Sequence, residues 1–412
     1  MRIVLFIIFF VPCYFTTSAQ ENRFLFQKSK IDSIHSKTLN ETRSMYIQIP
    51  ESYLANPNLK YPVSYIIDGE VFLPTVNNVL EFYSGGFMPE MILVGISNAN
   101  NRTRDLTPSK IKTRFGMPFN TENGEAANFL KFIDEELIPY VESKYPVTNY
   151  RTLIGHSYGG LFAVYTLINK PELFANYISI DPSLDWDNQI LELKMKEAFK
   201  TNNFEGKALY VSLSGQLHMQ DKKVTIDNVM QDTTDFTIFP RSNISFSNLI
   251  SQNKQSKLFY KWQFYPNDLH GTIPLPSIKD GLLALFEWFQ MENTDQINSF
   301  ETPKEELFNI IKYRENKLKK HLGYFEAPYP EDLLNMSGYM NMEMKQLEKA
   351  KMYFELAVAY YPESANAHDS FSEYYEAQKD YEKAIQLATK AFELSGSDYH
   401  KKRLETLKSK KL

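Results

Sequence analysis

An α/β fold with a mostly parallel sheet covered by helices on both faces, followed by a small all-helical unit, is predicted by three observations. Short apolar runs recur along residues 45–290 with helical patterns between several of them. One of these runs leads through a serine flanked by glycines directly into a buried helix. Beyond residue 300 the composition turns charged and helical, with a repeat of 34 residues. Strands alternating with helices build parallel sheets, and such sheets are buried on both faces.

The chain of 412 residues opens with Arg2, an apolar run over residues 3–10 and the small-residue stretch Thr16-Thr17-Ser18-Ala19. This pattern predicts a leader, residues 1–19, cut before Gln20, and hence an exported protein, periplasmic or secreted. The apolar run is too short to span a bilayer and Pro12 interrupts it. The single cysteine, Cys13, falls inside the leader and Val11-Pro12 before it makes a poor lipidation site, so the mature chain is expected to hold no disulfide and to depend on its core alone. Losing Arg2 takes the formal charge from -5 to -6. A mildly acidic balance, with no basic run interleaved with aromatics in the main body, argues against nucleic acid as a partner.

Strand-like runs are expected at residues 45–50, 61–68, 91–95, 151–154, 177–180, 208–213 and 258–265. The clearest helical pattern is residues 126–143, where Phe129, Leu130, Phe132, Ile133, Leu137 and Val141 gather opposite Lys131, Asp134 and Glu135. Further helices are expected from Leu161 onward and over residues 277–289. Active sites of such sheets lie beyond the carboxyl ends of the strands, so the loops after each run are the places to look for chemistry.

Gly155-His156-Ser157-Tyr158-Gly159 follows the run Thr152-Leu153-Ile154 and precedes the apolar helix. The pattern is a nucleophile elbow, a turn so tight that its flanking positions must lack side chains while the serine Oγ stands clear of the sheet. Ser157 is the candidate nucleophile. The loop Asp68-Gly69-Glu70 sits where one half of an oxyanion hole is expected, with the backbone N–H groups of Glu70 and Tyr158 as the two donors. A second loop, residues 98–108, carries Arg102 and Arg104, whose guanidinium groups are candidates for gripping an anionic part of a substrate, or for pairing with Asp105. A third, Ser214-Gly215-Gln216-Leu217-His218-Met219-Gln220-Asp221, is where the acid belongs in the order serine, acid, histidine; Asp221 is the nearest carboxylate, with Asp227 and Asp232 further along. The fourth, residues 265–272, carries His270 after the last strand, placed to take the proton from Ser157 and return it to the leaving alcohol. His218 is the competing histidine. No His-Glu-x-x-His or paired cysteine pattern is present, and neither a metal nor another cofactor is expected.

Together these residues resemble the putative-esterase family of α/β-hydrolases, which includes enterochelin-type siderophore esterases, esterase D-like enzymes and mycolyltransferases. The resemblance runs over residues 46–289. It is carried by Tyr61-Pro62-Val63 leading to Asp68-Gly69, Val94-Gly95-Ile96 with Arg102 and Arg104-Asp105-Leu106-Thr107-Pro108, the elbow, Pro182-Ser183-Leu184 before Trp186-Asp187, and His270-Gly271. It implies an α/β-hydrolase fold and a serine carboxylesterase with Ser157 as nucleophile, His270 as base and the Glu70 and Tyr158 amides as oxyanion donors. The family's Gly-x-x-Glu turn here reads Gly215-Gln216-Leu217-His218, without the carboxylate. Two expectations stay open: Asp221 reaches in, or the enzyme works as a Ser-His dyad.

From Phe300 the composition turns charged, and Pro303-Lys304-Glu305-Glu306 is expected to open a helix that runs to His321. Leu347-Glu348-Lys349-Ala350 and Tyr381-Glu382-Lys383-Ala384 then repeat at the tetratricopeptide period of 34 residues. The small and aromatic positions fit: Gly338, Ala350, Phe354, Ala357 and Pro362 in one unit, Tyr375, Ala384, Ala388 and Ala391 in the next. The expected organisation is a leader (1–19), a hydrolase unit (20–298), a helical linker (299–330) and tetratricopeptide-like repeats (331–412) that offer a protein-docking surface, a cleft wall or a stabilising cap. The basic tail from Lys401 to Lys411 is expected to be a solvated helix face. The function expected is an exported serine esterase acting on a siderophore-like or acylated small molecule, with cleft contacts from residues 98–108 and 181–187 and a lid from residues 222–253. The alternatives are an acyltransferase and a non-catalytic binding protein on the same scaffold.

Overall fold

The computed structural model describes residues 30–50, 52–53, 59–84 and 86–411; the expected leader lies outside the described residues. Their strands are β1 Lys30–Ser36, β2 Glu41–Gln48, β3 Tyr61–Ile67, β4 Ile92–Ile96, β5 Thr113–Arg114, β6 Met117–Pro118, β7 Val147–His156, β8 Asn176–Ile180, β9 Ala208–Ser214 and β10 Phe259–Tyr265. Eight of them form one sheet in the order β1-β2-β4-β3-β7-β8-β9-β10, while β5 and β6 make a small hairpin of their own. β1 and β4 run antiparallel to β2, and every other neighbouring pair in the large sheet is parallel. The seven expected strands are all present. The eighth, β1, has the mostly polar sequence Lys-Ile-Asp-Ser-Ile-His-Ser and lies at the sheet edge with most of its residues outside the core, which is why no apolar run announces it.

Two cores flank the sheet, and the two-residue period of the strands sorts side chains between them. Val63, Tyr65 and Ile67 of β3, Ile92, Val94 and Ile96 of β4, and Leu209 and Val211 of β9 face one core. Ile66, Leu93 and Tyr210, from the alternate positions, face the other. The first core is closed by the helices Ala126–Phe132, Ile138–Lys144, Tyr158–Asn169, Trp186–Thr201 and Ile238–Gln252, and the second by Gly69–Tyr83 and Pro274–Leu285. The helical pattern expected at 126–143 is interrupted by a π-helical turn, Ile133–Leu137. Pro139 follows immediately, and since proline has no N–H to return to the preceding turn, a widened turn there accommodates the missing bond.

The expected lid, residues 222–253, divides in two. Its second part is the helix Ile238–Gln252, which buries Phe246 and Ile250 in the first core, so that part is a fixed wall. Its first part contains short 3-10 turns at Val229–Gln231 and Asp235–Thr237.

The helix Lys304–Leu322 belongs to two cores at once. Leu318 and Leu322 pack with Phe286 and Phe289 of the sheet unit, whereas Leu307 and Ile311 pack with Tyr329, Leu334, Met352 and Leu356 of the following helices. His321 stacks on Trp288 with ring centroids 4.2 Å apart. Beyond it lie the helices Glu331–Glu343, Leu347–Tyr360, Ala365–Ala377, Tyr381–Ser395 and Asp398–Lys411. The first and third, and likewise the second and fourth, begin 34 residues apart, matching the spacing in the sequence.

Candidate active site

Strands β7, β8, β9 and β10 lie side by side and point the same way, so the loops that follow them meet at one end of the sheet. β7 ends at His156, and the helix Tyr158–Asn169 begins two residues later. Ser157 between them has φ 59 and ψ −114, a conformation that costs about 1–3 kcal/mol for a residue with a side chain. Surrounding bonds hold it there. Its N–H donates to the Ile180 carbonyl at 2.9 Å, and its carbonyl accepts from Leu161 N at 2.9 Å and Ser183 N at 3.2 Å. Gly155 is required because a Cβ there would lie 2.2 Å from the Gly159 carbonyl oxygen. Ser157 Oγ lies 3.3 Å from Ser183 Oγ.

His270 stands in the loop after β10, as expected, with its side chain 36% exposed. Its Nδ1 lies 2.7 Å from Oδ2 of Asp181, which is fully buried. Asp181 follows β8, the strand before the one where an acid was expected. It sits at φ 41, its N–H donates to Ser212 O at 3.0 Å, and its Oδ1 accepts from Ser214 N at 2.8 Å. Both carboxylate oxygens are therefore engaged, one by the β9 backbone and one by the imidazole. With Nδ1 facing a carboxylate, Nε2 is left as the ring nitrogen able to take a proton.

Asp221 is not part of this arrangement. It is exposed, its N–H donates to His218 Nδ1 at 2.8 Å and its Oδ1 accepts from Lys223 N at 2.9 Å. The loop after β9 closes into a surface turn, so the nearest carboxylate in sequence is not the one that reaches His270. His218 is thereby committed to its own turn and to Phe236, 5.3 Å away between ring centroids. Gln216, from the same loop, accepts the His270 N–H at 3.2 Å.

The turn after β3 is tied to the elbow by Arg102. Its Nε lies 3.0 Å from each oxygen of Asp68, and its Nη2 lies 2.9 Å from Asp68 Oδ2 and 3.0 Å from the His156 carbonyl. The guanidinium expected to grip substrate is thus a brace between the two halves of the site. Glu70 and Tyr158 each occupy the first turn of a helix, Gly69–Tyr83 and Tyr158–Asn169, where backbone N–H groups have no intrahelical acceptor. Arg104 lies in a different place: it pairs with Glu41 at 2.7 Å and Asp105 at 2.8 Å, and Arg43 of β2 also bonds Asp105. This ion cluster pins the loop to β2. Burial and then those two carboxylates determine its ionisation, and the carboxylates prevail, holding it fully protonated.

Sequence reasoning missed three contributors. Asp181 was visible as a carboxylate at a strand end, within a loop expected only to shape the cleft. Arg114, from β5, bonds the Tyr158 hydroxyl and reaches Asp185 Oδ2 at 2.8 Å, and its guanidinium lies 5.3 Å from the Trp186 ring centre; a lone arginine in a polar stretch carries no signal of this. His156, directly before the serine, is the third. Its Nε2 lies 2.8 Å from the His270 carbonyl, and its ring centroid is 4.5 Å from that of His270. Burial first, and the neighbouring His270 second, push its pKa down to about 4. Among the described residues, no three His, Cys, Asp or Glu side chains converge as a metal site needs.

Residues 36–245, about half of the chain, match the family described as Putative esterase. The ferri-bacillibactin esterase BesA of Bacillus subtilis is 28% identical over 232 residues, covering 52% of this chain and 80% of its own. The siderophore enterobactin esterase of Emericella nidulans is 30% identical over 186 residues, 41% of this chain and 59% of that protein. An IroE-like serine hydrolase from Shewanella oneidensis, 26% identical, superimposes with a TM-score of 0.64 over 80% of this chain and 99% of its own. An uncharacterised protein from Capnocytophaga ochracea, 20% identical, shares the fold over 93% of this chain with a TM-score of 0.57. The non-catalytic reading falls with these findings. The chain belongs to the Putative esterase family and is an ester-hydrolysing enzyme.

Proposed function

We propose that the chain is a serine carboxylesterase working through an acyl-enzyme on Ser157. His270 Nε2 takes the Ser157 proton as Oγ attacks the ester carbonyl, and the negative charge that develops on the carbonyl oxygen falls to the N–H groups of Glu70 and Tyr158. The C–O bond to the alcohol then breaks, His270 returns the proton to the leaving oxygen, and water resolves the acyl-enzyme by the same steps. Asp181 holds the imidazole in the tautomer with its proton on Nδ1 and balances the imidazolium that forms. This assignment replaces both Asp221 and the dyad. The observation that carries it is the Asp181–His270 pair standing at the same sheet end as the strained Ser157.

The substrate we propose is a siderophore-like ester, since relatives named for such esters align along the hydrolase portion. We further place the hydrolase unit at 20–298, the linker at 299–330 and tetratricopeptide-like repeats at 331–412, with export following removal of residues 1–19. The repeats are offered as a surface for a protein partner. Hydrolysis of short-chain p-nitrophenyl esters and of a ferric tris-catecholate trilactone by the purified protein tests the chemistry, beside Ser157→Ala and His270→Ala. Loss of turnover in both variants, with fluorophosphonate labelling lost in Ser157→Ala, is the expected result. Undiminished hydrolysis by Ser157→Ala would sink the serine mechanism, and turnover of the simple esters alone would sink the siderophore assignment.

A further inference from the structure

The His270 ring is hydrogen-bonded through Nδ1 to Asp181, and the loop that carries it is largely exposed. Its position therefore depends on what fixes its backbone. Three bonds tie it to residues outside the loop: Gly215 N–H donates to the Asp268 carbonyl at 2.8 Å, His270 N–H donates to Gln216 Oε1 at 3.2 Å, and the His270 carbonyl lies 2.8 Å from His156 Nε2. The third differs from the others because His156 is covalently next to Ser157. One side chain thus links the strand end that presents the serine to the backbone of the histidine opposite it.

A carbonyl oxygen can only accept, so the proton of this bond sits on His156 Nε2. The ring is confined further by Phe72, edge-on at 5.6 Å between centroids, and by the His270 ring at 4.5 Å. The backbone of His156 is fixed in turn by Arg102 at its carbonyl. The charged or titratable groups that face the ring are His270, Asp181 and Arg102; burial, the His270 imidazole and Arg102 oppose a positive charge on it, while Asp181 and the bond to the His270 carbonyl favour one. A neutral ring donates to the His270 carbonyl without placing a cation beside the imidazolium that forms in each half-reaction.

We propose that His156 is a positioning residue, whose Nε2–H bond to the His270 carbonyl holds the base against the elbow serine. This rests on His270 being the base. Errors of about an ångström in the placing of reacting groups cost about 100-fold in rate, so the effect belongs in kcat and not in KM. His156→Phe keeps a planar ring and removes the donor; His156→Gln keeps an N–H at a similar reach. The expected results for ester hydrolysis are a fall in kcat of about 10–100-fold for His156→Phe with KM changed little, and recovery of most of that loss in His156→Gln. The fluorophosphonate labelling rate of Ser157 should move in parallel. Wild-type kcat in His156→Phe overturns the proposal. Equal losses in the two variants overturn it as well, since the ring and not its donor would then be at work. Thermal unfolding of each variant separates misfolding from mispositioning, with the glutamine variant as the decisive arm if the phenylalanine variant does not fold. Full activity in Ser157→Ala would instead refute the underlying mechanism, a different failure.

Discussion

Replacing Asp181 by asparagine moves hardly an atom, yet it decides which nitrogen of His270 carries a proton. In the native site Ser214 N–H donates to Oδ1 at 2.8 Å, and Oδ2 faces His270 Nδ1 at 2.7 Å. In Asp181→Asn the Ser214 amide still requires an acceptor, so the amide oxygen takes the Oδ1 position and the NH2 group turns to the imidazole. Nδ1 must then accept, which puts the ring proton on Nε2, where it blocks uptake of the Ser157 proton. The wrong tautomer costs more than a weakened field: a loss of about 10⁴-fold in kcat is expected, about 5 kcal/mol of transition-state stabilisation. KM should change little because no cleft surface is altered. Asp221→Asn, at an exposed turn, should leave kcat as it is. The measurement is steady-state hydrolysis of p-nitrophenyl butyrate by the two variants. If Asp181→Asn kept a tenth of wild-type kcat while Asp221→Asn lost activity, the assignment of the acid to the loop after β8 would be refuted.

Arg102→Lys should lower stability by about 1–3 kcal/mol in urea titration, because a point charge cannot hold both Asp68 oxygens and the His156 carbonyl; a rise in KM with stability intact would return Arg102 to the substrate. Arg104→Met should cost about 3 kcal/mol by leaving buried Asp105 short of a partner, while KM of the folded enzyme stays unchanged. Glu326 titrates at about 7, raised from 4.5 by burial first and by Glu90 second. Between these values the folded state keeps a proton that the unfolded chain has released, so stability falls as pH rises through the window, by up to about 3 kcal/mol. Glu326→Gln should therefore match the wild type near pH 5 and be the more stable at pH 8; equal denaturation midpoints at pH 8 would count against the shift.

The parts of the site legible in the sequence are those that local backbone dictates. Gly155 and Gly159 around Ser157 are needed wherever a strand turns this sharply into a helix, and His270 follows a run of strand residues closed by Pro266 and Asn267. The acid was not legible because its identity depends on which loop folds over which. Asp181 and Asp221 both follow strands, and nothing in composition shows that residues 214–221 close on themselves while Asp181 turns inward at positive φ. Arg102 and Arg104 look alike in sequence, two residues apart. Their fates are set by partners from elsewhere, Asp68 for one and Glu41 of β2 for the other. Strand β1 escaped for a further reason: an edge strand with five of its seven residues polar carries no apolar run.

The acid stands one strand earlier than expected, and the loop after β9 offers a physical reason. Where β9 gives way to its loop, Gly215 passes so close to β10 that a Cβ would stand 2.1 Å from the Pro266 carbonyl oxygen. No side chain fits at that position. The next residue, Gln216, reaches the His270 backbone and accepts its N–H, so the β9 loop secures the main chain of the base and leaves its ring to be held from another direction. The β8 loop is placed to do this, because Asp181 bonds twice to β9, through its N–H to Ser212 and its Oδ1 to Ser214, and these bonds aim Oδ2 across the strand at Nδ1. A site with Asp181 in place thus needs no carboxylate from the β9 loop, where position 218, the place of the family's glutamate, holds His218 bonded into its own turn.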